Sequence, residues 1–431
     1  MENSVYIWKD GQERKPLPMD STLNQIIDLV REHQVVVIQA PTGAGKTIRI
    51  PQALLLEFQE RMLHMTLPRR AAVRWCGKYM ASEMGSRPGG VIGWRLYKEE
   101  PVMSAETRLL MTVDQSLANR IRRTGQLPEG IIIVDEAHER SVSTDLLLGL
   151  IKEALPSSPK TKLLITSATI DTQKFSQFFG GAPVVKTTSR QYDVEVHVRE
   201  LFTGEHHSQA AISEGHRVVE KFVQGQLTIA GDLQGDVRQR VGQGTLIVLL
   251  PGKEDIANAL RELSRQAEEL GVLDRVEILA CHGETTPEDQ DKVQSQVQDG
   301  VLRIVCGTEI LRSSVTLPQV VGVIDSLQVK RNLVNERGVA HITKIAVSMA
   351  EADQAKGRAG RTGPGFYIPC SFYGEYGCLA PYPEPSIIRE PTTSVALQVA
   401  AVGRSVRDFS FIDPPPPDKV EVAIGRLQAI G

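Results

Sequence analysis

The sequence contains few cysteines, few aromatic residues and no apolar run long enough to span a bilayer. Its five cysteines, odd in number and scattered over 431 residues, are predicted to be reduced thiols, because disulfides persist mainly in oxidising compartments. The N-terminal stretch MENSVYIWKDGQERKPLPMD also lacks the apolar core of a signal peptide. These absences favour a cytoplasmic protein with no membrane partner.

An excess of positive charge is missing as well. The formal net charge is −3, so bulk electrostatics do not indicate a nucleic-acid partner. Binding to a polyanion would have to come from local clusters such as Arg69 and Arg70, for which ordinary surface charge is the alternative. A hydrophobic content of 41% and a charged content of 23% are typical of a globular protein, and the length predicts two or three domains.

The stretch VVVIQAPTGAGKT (Val35–Thr47) joins a short apolar run to a glycine-spaced turn. The run predicts a parallel strand buried on both faces, and the glycines let backbone N–H groups turn toward an anion. A phosphate-binding loop followed by a helix is the expected structure, with a glycine-rich turn and a solvated lysine as the alternative. The motif usually begins with glycine, where this chain has Ala40. The predicted nucleotide contacts are Thr42, Gly43, Ala44, Gly45, Lys46 and Thr47.

In the stretch GIIIVDEAHERS (Gly130–Ser141), a second apolar run is followed directly by several charged residues. Ligands bind beyond the carboxyl ends of strands in α/β sheets, so these acids are expected beside the phosphate loop if the two strands lie close. Asp135 would hold magnesium directly or through a water, and Glu136 would polarise the water that attacks the γ-phosphate. Taken alone, the segment could be a solvated acidic loop. The magnesium candidates are Thr47, Asp135 and Glu136.

The segment GRAGR places Arg358 and Arg361 three residues apart. A nucleotide bound to one domain needs a cation to offset the charge that develops on its γ-phosphoryl oxygens. Two arginines from a second domain would supply it, as arginine fingers do. An ordinary basic helix end is the alternative.

Further motifs occur in a fixed order along the chain. With the segments above, they resemble those of a DEAH-box member of the superfamily-two helicases, the DEAH/RHA group of RNA helicases and its bacterial relatives. The resemblance extends from about Thr22 to the C-terminus. The additional motifs are TLPRR (Thr66–Arg70), MTVDQSL (Met111–Leu117), SATID (Ser167–Asp171), TLIVLLPGKEDI (Thr245–Ile256), VCGTEILRSSVTLPQVVGVIDS (Val305–Ser326) and DQAKGRAGRTGPG (Asp353–Gly365).

The resemblance implies an ATP-dependent RNA helicase or translocase that uses ATP and Mg²⁺ and moves 3′-to-5′ on single-stranded RNA, with DNA also possible. It implies that Gln354 positions the attacking water and that Thr316 contacts the nucleotide. His138, Ser167 and Thr169 would couple nucleotide state to neighbouring loops. The implied nucleic-acid contacts are Arg69, Arg70, Thr112, Lys253 and Thr308, which should meet phosphate and sugar because a motor must ignore base identity.

The chain departs from the family pattern at several positions. Ala355 and Lys356 stand where the family has an arginine-containing pair, although both presumed fingers remain. In GTEILRSS, Glu309 replaces an asparagine and Arg312 replaces an acid. These changes put nucleic-acid contacts in doubt more than ATP hydrolysis.

Strand–helix alternation occurs twice, which predicts two parallel-sheet α/β domains. The resemblance implies that these are tandem RecA-like domains and that the start of a winged-helix domain follows them. The predicted ranges are 1–188, 189–369 and 370–431. Residues Thr203–Gly244 predict a helix and a mobile loop, and Gln328–Ile345 predicts a hairpin around NERG.

Two other functions compete with the helicase. One is an ATP-gated RNA-binding clamp or remodelling factor with little unwinding, acting with a protein activator or within a larger assembly. The altered GTEILRSS motif favours it, as does the end of the sequence at Gly431, before the helical ratchet domain that the family implies. The other is a P-loop kinase or GTPase, which DEAH, SAT and GRAGR together disfavour.

Overall fold

The computed structural model describes residues 8, 10–11, 14, 16–41, 43–168, 172–188, 192–230, 238–313, 315, 317–334, 340–361 and 363–429. The chain forms two compact units. The first comprises Met1–Ser189, Asn332–His341 and Glu384–Gly431, and the second comprises Arg190–Arg331 and Ile342–Pro383.

The first unit is built on a parallel sheet. Its strands are β1 (Val35–Gln39), β2 (Leu63–Leu67), β3 (Ile92–Trp94), β4 (Leu109–Val113), β5 (Gly130–Val134), β6 (Thr161–Ser167) and β7 (Val184–Lys186). Its helices are α1 (Leu23–Glu32), α2 (Lys46–Glu57), α3 (Arg70–Glu83), α4 (Asp114–Thr124), α5 (Val142–Ala154) and α6 (Thr172–Phe178). The described strands pair in the order β3-β4-β2-β5-β6-β1-β7, so the strands before the phosphate loop and the DEAH segment are separated only by β6.

Both faces of this sheet are buried, which explains the unbroken apolar runs of its strands. In β1, Val36 and Ile38 belong to one hydrophobic core, whereas Val35 and Val37 belong to another on the opposite face. The same alternation divides the isoleucines of β5 between the two cores. A strand covered by helices on both sides needs apolar residues at every position, as the sequence predicted.

The second unit is also a parallel α/β sheet. Its sheet strands are β8 (Val194–Val196), β9 (Arg199–Glu200), β12 (Gly244–Leu249), β13 (Val276–Cys281), β14 (Leu302–Gly307), β15 (Val320–Asp325) and β18 (Gly365–Ser371). The described order is β13-β14-β12-β15-β18-β8, with β9 pairing beside β18. Its helices are α7 (His207–Val223), α8 (Lys253–Glu269), α9 (Pro287–Gln294), α10 (Ile310–Ser313) and α11 (Met349–Ala359). The two sheets confirm the predicted fold class of tandem RecA-like domains.

The stretch Thr203–Gly244 contains the predicted helix, α7, and also two short strands that were not predicted. Residues 231–237, where the predicted loop falls, lie outside the described residues. Strands β10 (Thr228–Ala230) and β11 (Arg238–Arg240) pair in antiparallel fashion. Leu227 and Val241 adjoin the same end of the pair, where the Val241 N–H donates to the Leu227 carbonyl, and both are buried in the core of the second unit. The polar residues around these apolar positions concealed the short strands in the sequence.

The predicted hairpin is present as strands β16 (Gln328–Val334) and β17 (Ala340–Ala346), which pair with each other in a separate two-stranded sheet. The NERG turn lies outside the described residues.

The C-terminal stretch contains α12 (Ser386–Arg389), α13 (Thr393–Ala400) and α14 (Pro417–Ala429). Buried residues from it, including Val399 and Phe409, join the core that contains Leu147 of α5. A Cβ on Gly149 of α5 would overlap the ring of Phe409, so this glycine permits the close packing. The assignment of 370–431 to a partial winged-helix domain stays a prediction, as do the domain ranges.

All five cysteines carry free thiols, as predicted, and only Cys378 is exposed. Burial raises the pKa of the Cys281 thiol to about 12, so this side chain stays protonated and unreactive at neutral pH. Among the helices in the described part of the chain, none has the length and apolar character needed to cross a bilayer.

Candidate nucleotide and nucleic-acid site

The glycine-spaced turn after β1 leads directly into α2, whose first residue is Lys46. Gly43 and Gly45 have φ angles of 86° and 96°, in the left-handed region that favours glycine. A Cβ on Gly45 would also come within 2.7 Å of Leu17 Cδ1. Ala44 is buried, and its carbonyl accepts a backbone hydrogen bond from the N-terminal segment. The turn therefore presents the amino end of a helix, where N–H groups and the helix dipole favour an anion.

Lys46 is buried, and its ammonium group contacts the DEAH segment. Its Nζ lies 3.0 Å from Glu136 Oε1. Removing two such charges from water costs several kcal/mol per ion, so the contact persists only because each charge is matched. The strands before these residues end at the same edge of the sheet, which brings together groups that are 90 positions apart.

Asp135 is fully buried at the end of β5. One of its oxygens, Oδ1, accepts hydrogen bonds from the Thr166 hydroxyl and from the Glu136 backbone N–H. Burial and the neighbouring Glu136 charge raise its pKa, while Lys46 and the hydroxyls of Thr166 and Thr47 oppose that rise. Its Oδ2 is buried and makes no close hydrogen bond within the described residues. A divalent cation beside Thr47 would satisfy this oxygen and favour the charged carboxylate, so these residues fit magnesium.

Glu136 adopts a left-handed backbone conformation, with φ of 54°, at the start of a short 3₁₀ helix over Ala137–Glu139. Its second oxygen, Oε2, lies 3.3 Å from His138 Nδ1. The same nitrogen accepts a hydrogen bond from the N–H of Ala168 at 3.4 Å. His138 therefore contacts both the DEAH glutamate and the SAT segment, and Ser167 of that segment is bonded through its carbonyl to Ala40 N–H. The arrangement connects the ends of β1, β5 and β6.

Within the described residues, no cluster of three or more His, Cys, Asp or Glu side chains could hold a metal.

Two of the predicted nucleic-acid contacts of the first unit, Arg70 and Thr112, are bonded to one short loop after β3. Arg70 donates from Nη2 to the Tyr97 carbonyl at 2.9 Å and pairs with Glu99, and the Thr112 hydroxyl donates to the Arg95 carbonyl at 2.8 Å. Tyr97 is 73% exposed. The sequence analysis did not identify this loop, although Arg95, Tyr97 and Lys98 directly after the buried strand β3 were an available signal. Arg69, at the start of α3, lies 3.5 Å from Glu139.

Two contact candidates in the second unit follow neighbouring strands. Lys253 begins α8 after β12, and its ammonium pairs with Glu284 in the loop after β13. Thr308 directly follows β14, and its N–H donates to the Cys281 carbonyl at 3.2 Å. Both therefore lie at the carboxyl edge of the second sheet. Three other predicted site residues lie outside the described residues: Thr42, Thr169 and Thr316.

The presumed catalytic residues of the second unit lie on α11 or just after it. Gln354 and Arg358 are buried, and Arg361 is half-buried. Arg358 donates from Nε to the Arg312 carbonyl at 2.8 Å and from Nη1 to the Val315 carbonyl at 2.7 Å. Its guanidinium is thus held by one backbone carbonyl of the GTEILRSS segment and by that of Val315, which directly follows the segment.

The unusual residues of that segment have partners inside the second unit. Arg312 is buried and forms a two-pronged ion pair with Asp325, at 2.6 and 2.7 Å. Burial alone would lower the pKa of Arg312, but the Asp325 carboxylate raises it above the usual value. Glu309 pairs with Arg331 at 2.7 Å. The substitutions therefore serve internal ion pairs, a role that the sequence did not reveal.

Comparisons with known proteins match both units of the chain to helicase families. Residues 22–178 match the family described as DEAD/DEAH box helicase, and residues 233–363 match the helicase conserved C-terminal domain. The probable ATP-dependent RNA helicase DHX34 of Mus musculus is 33% identical over 423 residues, covering 97% of this chain and 36% of that protein. The ATP-dependent RNA helicase HrpA of Escherichia coli strain K12 is 31% identical over 424 residues, covering 96% of this chain and 30% of that protein.

Among solved structures, the crystal structure of Escherichia coli DEAH/RHA helicase HrpB has a TM-score of 0.84 and 25% identity. The match covers 96% of this chain and 50% of the HrpB chain. The chain thus spans about a third of the length of the curated relatives that it matches.

Proposed function

Since this chain belongs to the DEAH-box group of superfamily-two helicases, we propose that it hydrolyses ATP and couples hydrolysis to movement along single-stranded RNA. The observation that carries the proposal is the contact of 3.0 Å between Lys46 Nζ and Glu136 Oε1. In this proposal Lys46 is the cation for the β- and γ-phosphates and Glu136 is the carboxylate that acts on the attacking water, and their contact supports both assignments.

ATP would bind at the amino end of α2, with Gly43, Ala44 and Gly45 offering backbone N–H groups to its phosphates. Thr47, Asp135 and Glu136 would hold magnesium, which when bound neutralises charge on the phosphate oxygens. Among the described residues the buried Oδ2 of Asp135 makes no close hydrogen bond, which supports this assignment.

Glu136 accepts a proton from the attacking water, as a general base. Its strained backbone conformation holds the carboxylate between Lys46 and His138, so its orientation is set before substrate binds. His138 couples the position of Glu136 to that of the SAT segment through its hydrogen bond with the Ala168 N–H.

Residues of the second unit complete the reaction in this proposal. Gln354 positions the attacking water, and Arg358 and Arg361 offset charge on the γ-phosphoryl oxygens. Arg358 is fixed by two backbone carbonyls, whereas Arg361 is more accessible, which makes Arg361 the better candidate for direct phosphate contact. If ATP closes a nucleotide site that needs residues of both units, its hydrolysis would reopen that site, and this cycle would couple hydrolysis to movement.

The nucleic acid is bound through phosphate and sugar, and RNA is favoured because two relatives are named RNA helicases. Travel in the 3′-to-5′ direction and a cytoplasmic location belong to the same proposal, and single-stranded DNA is an alternative ligand. The proposed contacts are Arg69, Arg70, Thr112, Lys253 and Thr308.

The clamp hypothesis loses one of its supports, because Glu309 and Arg312 are engaged in ion pairs inside the second unit. Unwinding therefore stays the preferred activity, and a clamp becomes one outcome of its test.

The test is ATP turnover measured alone and with single-stranded RNA or DNA of matched length, beside displacement of a strand from duplexes with a 3′ or a 5′ single-stranded tail. We expect turnover to rise with RNA and only the 3′-tailed duplex to unwind. Stimulated turnover without strand displacement would indicate the clamp, and absence of ATP hydrolysis would contradict the proposed function.

A further inference from the structure

Arg140, the second residue after the DEAH letters, is buried and lies at the junction of four parts of the first unit. We propose that Asp413, in the C-terminal stretch, is a positioning residue for ATP hydrolysis that acts through Arg140 on the DEAH segment. This inference rests on the proposed ATPase function.

The Arg140 guanidinium binds two carboxylates at once. It donates from Nε to Asp145 Oδ1 at 2.7 Å, from Nη2 to Asp145 Oδ2 at 3.0 Å, and from Nη2 to Asp413 Oδ2 at 2.7 Å. The other oxygen of Asp413 accepts from Lys174 Nζ at 2.5 Å. Two cations and two carboxylates thus form a balanced cluster, in which Asp145 is completely buried.

The C-terminal stretch also holds the backbone of Arg140. The N–H of Ser386 donates to the Arg140 carbonyl at 3.0 Å, and the residue has a φ of 44°, in the left-handed region. A non-glycine residue keeps such a conformation only where its surroundings hold it. The side chain and the carbonyl of Arg140 are therefore both restrained by residues more than 240 positions away.

The restrained residue, Arg140, is connected to the proposed general base, Glu136, by only three residues. A single 3₁₀ turn, Ala137–Glu139, separates Arg140 from Glu136, and both flanking residues have positive φ. The Arg140 N–H donates to the Ala137 carbonyl at 3.3 Å, and the Glu139 N–H donates to the Glu136 carbonyl at 2.9 Å. Fixing Arg140 at one end of the turn therefore sets the direction in which the Glu136 carboxylate points at the other end.

The cluster also touches the helix that follows the SAT segment. Lys174 and Phe175 both belong to α6, and the Arg140 guanidinium carbon lies 5.6 Å from the centre of the Phe175 ring. Asp413 thus joins the elements that follow two of the three motifs at the nucleotide site. No local sequence signal connects Asp413 to them, because its partners are 239 and 273 positions away.

The decisive variant is Asp413→Ala. It leaves Arg140 paired with Asp145, so no buried charge loses its last partner and the fold is expected to survive. Asp413→Glu keeps the carboxylate and should retain most of the activity. Arg140→Lys keeps a cation for Asp145 but cannot bind two carboxylates in the same way, so it provides a second test from the other side of the contact.

Arg404→Ala is the matched control. Arg404 Nη2 lies 3.3 Å from Glu153 Oε1, so it also fastens the C-terminal stretch to α5, but near the end of α5 remote from the DEAH segment. Steady-state ATP hydrolysis without nucleic acid, equilibrium binding of ATP and the thermal unfolding midpoint are measured for each variant.

We expect Asp413→Ala and Arg140→Lys to lower kcat by about tenfold, because a small misplacement of a catalytic group costs rate, with KM changed by less than about twofold. Arg404→Ala should keep the kcat of the unmodified protein. Unchanged kcat in folded Asp413→Ala, or equal losses in Asp413→Ala and Arg404→Ala, would overturn the inference. If the unmodified protein itself hydrolyses no ATP, the proposed function fails instead.

Discussion

The Nζ of Lys46 and the Oε1 of Glu136 lie 3.0 Å apart beyond the ends of β1 and β5, which are separated by β6 in the first sheet. The lysine is buried and the side chain of the glutamate is only 13% exposed, so the contact is largely shielded from water. In the proposed function the same ammonium group would also bind the substrate phosphates, so variants of Lys46 and of Glu136 are expected to have different effects.

Lys46→Ala is expected to abolish ATP hydrolysis, because the β- and γ-phosphates lose their lysine. It should also lower the free energy of unfolding by about 3 kcal/mol, since it leaves the Glu136 charge without its partner in a poorly hydrated site. Turnover and urea unfolding measure the two effects. Lys78→Ala, at an exposed position of α3, is the control and should change neither. Normal turnover by folded Lys46→Ala would refute the phosphate-loop assignment.

Glu136→Gln is expected to bind ATP as tightly as the unmodified protein, or more tightly, because the variant removes a negative charge beside Lys46. Its single-turnover hydrolysis should slow by about 10²–10⁴-fold, since an amide cannot take a proton from water. Rapid-quench hydrolysis and equilibrium binding separate these effects, with exposed Glu129→Gln as the control. Weak binding combined with normal turnover at saturating ATP would show that Glu136 has a binding role.

Arg361→Ala is expected to lower the hydrolysis rate much more than ATP affinity. An arginine finger acts on charge that appears mainly in the transition state, and such contacts are worth about 10³–10⁵ in rate in related enzymes. Turnover across an RNA titration provides the measurement, and stimulation by RNA should be lost. Intact RNA-stimulated turnover would contradict the finger assignment.

Arg70→Ala provides the contrast within the same titration. RNA should bind more weakly, because a phosphate contact is removed and the Tyr97 carbonyl loses its hydrogen bond from Arg70. Turnover without RNA should stay near that of the unmodified protein. A fall in RNA-free turnover would place Arg70 in the nucleotide site instead.

Acid should destabilise the first unit through His64, which is buried in β2. Burial and the nearby Arg120 lower its pKa to about 4, below the ordinary value of 6.5. The unfolded state therefore binds the proton first, and stability falls as the pH drops from 6.5 toward 4. At pH 5 the loss should be about 2 kcal/mol.

Comparison of the free energies of unfolding at pH 7 and pH 5 tests the role of His64. His64→Gln cannot take up this proton, so its stability should fall less over the same interval than that of the unmodified protein. An equal loss in both proteins would assign the acid sensitivity to other groups.

The sequence by itself determined the two α/β sheets and the places where β1 and β5 end. Both are local properties, because a strand buried on two faces must be apolar at successive positions and a phosphate-binding turn must contain glycine where φ is positive. The hairpin of β16 and β17 was predictable for the same reason, since alternation within a few residues indicates it.

Only the tertiary structure decided which charges meet. The sequence showed Arg312 only as an altered charge in its motif, whereas the structure pairs it with Asp325. Arg140 likewise pairs with Asp413, 273 positions away. The strands β10 and β11 likewise depend on a core that accepts Leu227 and Val241. A buried charge needs a partner of opposite charge, and a buried apolar side chain needs apolar neighbours. Packing of the whole chain determines which residues provide them, and spacing along the sequence does not indicate these residues.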